Sequence, residues 1–145
     1  MIAQSENNKY TAIVSYKGNL RTEAIHVASD CSLITDAPVD NCGKGENFSP
    51  TDLLAVSFAA CALTIIGIAM EKKQLPTLEI NCAVQKIMQN SPRKIKALTL
   101  DFSIRGETLN REQKQILEEC IWNCPVSLSL DPGIEKKINF TFETL

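Results

Sequence analysis

A single histidine, His26, and a single tryptophan, Trp122, serve the whole chain, and none of its six cysteines forms a Cys-x-x-Cys pair. Structural zinc sites are built from close cysteine and histidine pairs, so this spacing argues against a metal. There is no surplus of charge either: the formal net charge is −2. That removes the electrostatic reason to expect a nucleic acid or an acidic membrane surface as partner. The two most basic stretches, "RKIK" and "EKKIN", are short and read as solvated faces of strands. No Gly-x-Gly-x-x-Gly fingerprint, Walker loop or His-Glu-x-x-His helix occurs, so no cofactor is implied. The polar start "MIAQSENNKY" lacks the basic-then-apolar pattern of a secretory signal, which predicts a cytoplasmic protein with reduced thiols. Repeats, linkers and low-complexity segments are missing too, and 145 residues suit one domain, 1–145, with a real core.

What the chain does have is an uncharged run, "LLAVSFAACALTIIGIAM", from Leu53 to Met70. Eighteen such residues reach the length of a membrane-span candidate. Its many small residues, its strand-like neighbours and its cap argue for a buried helix instead. Ser49 is placed to be the N-cap, with Pro50 at N1 and Asp52 at N3, and lysines followed by Pro76 close the other end. The predicted helix spans 50–73 and is apolar all round, so it must be covered all round. One sheet covers one face. The same helix from a second copy is the simplest cover for the other, which predicts a homodimer; a monomer that wraps its own helix is the alternative.

Residues 8–17 alternate as a strand, "KGN" turns, and Leu20 to Ala28 runs back as a hairpin with Arg21 just past the turn. "CSLITDAP" offers a further short strand, and a loop rich in Gly, Asn and Asp leads into the helix. After Pro76, Leu78, Ile80, Cys82 and Val84 share one strand face, and Leu98, Leu100, Phe102 and Ile104 share the next. Asn110 and Gln113 suit a capping box for a second helix, striped by Ile116, Leu117, Cys120 and Ile121. "KKINFTFE" is a last strand. The pattern is α+β with largely antiparallel sheets.

Cys82 and Cys120 fall on apolar faces and read as small core residues, while Cys31 and Cys42 fall in loops without activating neighbours. Cys124 precedes Pro125, so it fits the N-cap of a helical turn whose N–H groups favour a thiolate; an incidental turn residue reads equally well. A cysteine in an apolar helix, such as Cys61, is inert by default because burial disfavours a thiolate. Reactivity there needs a nearby cation, and of the four arginines Arg21 is best placed to point inward.

"SPTDLLAVSFAAC", followed about sixty residues later by "CPV" and preceded by "YKGNLRTEA", resembles the OsmC/Ohr family, the osmotically induced protein C and organic hydroperoxide resistance proteins. The resemblance covers nearly the whole chain. It implies an intertwined homodimer whose antiparallel sheets wrap long central helices, with the active site at the dimer interface. It implies a thiol peroxidase acting on organic hydroperoxides, with Cys61 peroxidatic, Cys124 resolving, Arg21 as the family arginine, and a dithiol reductant, lipoyl-type in some members. One position departs: a glutamate directly follows the proline in the best-studied branches, whereas Thr51 stands here and the acid comes one later, as Asp52. Asp52 then serves as the site acid or only as a helix cap, and Glu46 in the preceding loop is a substitute acid. Leu53, Leu54, Phe58 and Trp122 are candidates for an apolar substrate pocket, or for plain core. Two other functions remain open on the same scaffold: a binding protein for an apolar small molecule, and a redox sensor without turnover.

Overall fold

The computed structural model describes residues 9–144. The secretory-signal reading of the first residues, and the start of the first predicted strand, lie outside them. The chain forms two compact units, one up to Leu53 and one from Leu54 onward.

The first unit is a three-stranded antiparallel sheet in the order β1-β2-β3, with β1 Ala12–Gly18, β2 Arg21–His26 and β3 Ser32–Asp36. The reversal falls one residue later than "KGN" suggests. Gly18 pairs with Arg21, and Asn19 and Leu20 turn the chain with φ of 51° and 61°. Two left-handed residues in a row match the twist of the strands they join. This turn delivers Arg21 as the first residue of β2. After β3, a 3-10 turn over Val39–Asn41 and a loop lead to the long helix α1, Pro50–Lys73. Gly43 packs against residue 37 so closely that a Cβ there would strike the Ala37 carbonyl.

The capping box of α1 is reciprocal. Asp52 N–H donates to Ser49 Oγ at 3.1 Å, and Ser49 N–H donates to Asp52 Oδ2 at 2.8 Å. Such a cap contributes about 1 kcal/mol. At the far end Gln74 takes the left-handed conformation (φ 51°) and Leu75 N–H returns to the Met70 carbonyl. The helix has the length and apolarity of a membrane span, yet Ala55, Phe58, Ala59, Ala62 and Ile66 form a stripe buried in the protein core. Burying Phe58 alone contributes about 1.5–3 kcal/mol.

The second unit holds a sheet in the order β4-β5-β6, with β4 Leu78–Asn90, β5 Arg93–Gly106 and β6 Glu135–Thr144. β4 and β5 are a long antiparallel hairpin, and the inward faces are the ones the alternation predicts. β6 departs from the antiparallel pattern: it runs parallel to β5, Leu100 facing Ile138 and Phe102 facing Phe140. A parallel neighbour requires a crossover. Helices α2 (Arg111–Trp122) and α3 (Pro125–Ser129) supply it. The Asn110–Gln113 capping box of α2 is present as predicted. Leu98, Leu100, Phe102, Ile104, Leu117 and Ile121 complete a core with the α1 stripe.

Candidate thiol site

Two cysteines from distant parts of the sequence meet in the second unit. Cys61 sits mid-way along α1, half-buried and packed against the core. Cys124 is fully buried. Its position follows from local sequence. Asn123 N–H closes α2 onto the Glu119 carbonyl, Pro125 starts a new turn at N1, and Cys124 between them is the N-cap of α3. The Cys124 Sγ accepts a hydrogen bond from Ser127 N–H at 3.4 Å and has the Cys61 thiol as a neighbour. Burial pushes the Cys124 thiol above the usual range. The Ser127 N–H works against that push, and the Cys61 thiol beside it adds to it. Both thiols are free.

The other cysteines lack this arrangement. Cys82 is pushed up to about 11 by burial and by Asp101, and Cys120 is raised chiefly by burial. Cys31 and Cys42 are exposed. Among the described residues no group of three or more His, Cys, Asp or Glu side chains is placed to hold a metal ion.

In the first unit, Arg21 is the centre of a carboxylate cluster. Register puts it directly opposite Asp36 across the β2–β3 ladder. Its Nε donates to Asp36 Oδ1 at 2.6 Å and its Nη2 to Asp36 Oδ2 at 2.9 Å, while Nη2 also reaches Glu46 Oε2 at 2.7 Å. Asn47 Nδ2 donates to Asp36 Oδ2 at 3.0 Å. Asp36 is buried and Glu46 exposed. The guanidinium holds the Asp36 carboxyl well below the usual carboxylate range, against the opposing effect of desolvation, with Asn47 assisting. The two carboxylates in turn raise the Arg21 pKa further. Glu46, which the loop suggested as a substitute acid, pairs with Arg21. Asp36 is the partner that sequence reading missed, and only strand register could have revealed it. Asp52 is engaged in the α1 cap.

The candidate pocket residues lie in different surroundings. Leu53 is half-buried, Leu54 is exposed, and Phe58 is wholly inside the core. Trp122 is 45% exposed and lines an open groove along α2 with Arg111, Lys114, Gln115, Glu118 and Glu119. Phe58 and Trp122 do share a neighbour, Lys136, whose Nζ lies 6.0 Å and 5.9 Å from their ring centroids. This corrects the reading of "EKKIN" as a solvated face. Lys136 follows the inward alternation of Ile134, Ile138 and Phe140, and its ammonium bonds the Ser127 carbonyl and hydroxyl. That same alternation was the signal available in the sequence.

An α+β chain with a buried cysteine at the cap of a crossover turn, held against a cysteine in a long apolar helix, defines a small two-thiol protein. The chain belongs to the OsmC-like protein family, whose family model matches residues 43–139. Among solved structures it is similar to a protein from Psychrobacter arcticus 273-4 provisionally described as an osmotic stress induced and detoxification response protein. That pair is 41% identical, covers 91% of this chain and 96% of the other, and has a TM-score of 0.86. Two more distant structures share the fold. The organic hydroperoxide resistance protein OsmC of Legionella pneumophila is 19% identical over 91% of this chain and 97% of that one, with a TM-score of 0.69. OhrB of Bacillus subtilis, also an organic hydroperoxide resistance protein, is 20% identical over 92% and 99%, with a TM-score of 0.62. No curated protein matches the chain.

Proposed function

We propose that this chain is a cytoplasmic thiol peroxidase that reduces organic hydroperoxides and works as a homodimer. Membership of the OsmC-like family supports a role in osmotic or peroxide stress. The observation that carries the finer reading is the Cys61–Cys124 pair, two free thiols that are neighbours at one core.

In this reading the Cys61 thiolate attacks the distal peroxide oxygen. The O–O bond breaks, sulfur gives up two electrons and becomes a sulfenic acid, and the alkoxide takes a proton and leaves as the alcohol. Arg21 is assigned to hold the thiolate and polarise the leaving oxygen. Asp36 and Glu46 fix the orientation of its guanidinium, with Thr51 at the usual glutamate position. Cys124 then attacks the sulfenic sulfur, water leaves, and a disulfide joins Cys61 to Cys124. A dithiol, lipoyl-type or similar, returns two electrons and restores both thiols. Asp52 contributes by capping the helix that carries Cys61. The alkyl group is assigned to the exposed apolar side chains of Leu54 and Trp122, and Phe58, enclosed in the core, is left to packing.

The test is steady-state consumption of cumene hydroperoxide with a dithiol, alongside mass spectrometry of the oxidised protein. Activity is expected, with a Cys61–Cys124 disulfide, and Cys61→Ser is expected to lower the rate by about 10³-fold or more. Two free thiols after treatment with hydroperoxide sink the reading.

A further inference from the structure

Ser127 is a buried residue whose three polar groups are all engaged at the thiol site. Its N–H donates to Cys124 Sγ at 3.4 Å, while its carbonyl and its Oγ meet Lys136 Nζ at 2.8 Å and 3.1 Å. The helix it belongs to, α3, has five residues. So short a helix is not held in place by its own hydrogen bonds. Lys136 reaches it from the start of β6, and its ammonium is flanked by Phe58, one turn before Cys61 on α1, and by Trp122, the last residue of α2. One side chain therefore touches every helix that frames the thiol pair. A lysine turned inward costs desolvation, which the two hydrogen bonds and the two ring faces offset.

We propose that Lys136 is a positioning residue for the disulfide-forming step: it anchors the α3 turn through Ser127 and so keeps Cys124 against Cys61. The proposal rests on the peroxidase reading. Its chemistry lies in a competition. The Cys61 sulfenic acid either condenses with the Cys124 thiol, giving the disulfide and water, or meets a second hydroperoxide, giving the sulfinic acid and an alcohol. The first route needs the two sulfurs held at bonding distance; the second does not. A loosened α3 shifts the partition toward the sulfinic acid and leaves the first oxidation of Cys61 untouched.

The experiment compares the full-length protein with Lys136→Met, which keeps the stem and removes the ammonium, and with Lys136→Arg. Rapid mixing with one equivalent of cumene hydroperoxide reads the first step, and intact-mass spectrometry over a series of hydroperoxide concentrations reads the products. For Lys136→Met the first step is expected within about twofold of wild type. Disulfide formation should be slower by about tenfold or more, since small misplacements of reacting atoms reach 10²-fold in rate. Cys61 sulfinic acid should then appear at correspondingly lower hydroperoxide, and Lys136→Arg should recover most of the difference. If Lys136→Met does not fold, as read by thermal melting, the same measurements are made on Lys136→Gln, with the same slowing expected. Disulfide formation at the wild-type rate in a folded Met or Gln variant overturns the proposal and leaves the peroxidase reading standing. A wild-type protein that forms no Cys61–Cys124 disulfide overturns both.

Discussion

At Cys124 three effects act on one thiol, and their balance sets how the site responds to pH. Burial disfavours the thiolate, the neighbouring Cys61 adds to that, and the Ser127 N–H partly opposes them, so the thiol stands above its ordinary value. If Cys124 attacks as a thiolate, the fraction able to attack is small at neutral pH and rises about tenfold per pH unit. Disulfide formation from the preformed Cys61 sulfenic acid should therefore accelerate steadily from pH 7 to 9 without a plateau. Stopped-flow measurement of that single step checks this, and a plateau below pH 8 would mean that the thiol is lowered rather than raised. The N-cap position of Cys124 was legible because Pro125 fixes where the turn starts. The meeting with Cys61 was implied only by the family resemblance, since no local pattern connects positions so far apart. Lys136 was hidden by its charge: a lysine suggests solvent, and only its place in the alternation of β6 said otherwise.

Among the elements, the β2–β3 ladder is what positions Arg21. It sets the guanidinium opposite Asp36, and the loop after β3 adds Glu46 and Asn47. Asp36 is held below the usual carboxylate range in the folded protein, so its contribution to stability is complete above about pH 4, where the unfolded carboxyl ionises. It is lost as pH falls further toward the folded value. Asp36→Asn should therefore melt below wild type at pH 7, with the gap narrowing on acidification below pH 4. If the proposed peroxidase reading holds for Arg21, the same variant should also lower that activity by about 10²-fold. A melting gap that stays constant from pH 7 to pH 3 would remove the ion pair as its cause. Elements with strong local signals were read directly: the capped α1, the boxed α2 and the hairpin of β4 and β5. The parallel setting of β6 was not, because strand direction depends on where the crossover lands and not on the strand's own alternation.

For the whole molecule, each compact unit supplies a separate reason to expect a second copy. In the unit up to Leu53 the buried residues among those described are Thr35, Asp36 and Ser49, all polar, while Val14, Tyr16, Ile25, Leu33, Ile34 and Phe48 are exposed. A three-stranded sheet needs an apolar face packed on something to persist. In the unit from Leu54, α1 buries one stripe and leaves another open along Leu54, Ser57, Ala60, Thr64 and Ile68. The two hydroxyls on that stripe are turned back on their own helix, Ser57 Oγ to the Leu54 carbonyl and Thr64 Oγ1 to the Ala60 carbonyl. Hydroxyls satisfied in this way leave a face that needs no water. Gly67 beside it has open space where a Cβ would point, which lets another backbone approach closely. The proposed homodimer should sediment at twice the 16.0 kDa chain mass at micromolar concentration. Ile68→Glu places a charge on that open stripe; by burying it unpaired at the contact it should weaken association by about 10²-fold or more. Sedimentation over a dilution series reads the shift, and a wild-type protein that sediments as one chain at every concentration rules the dimer out.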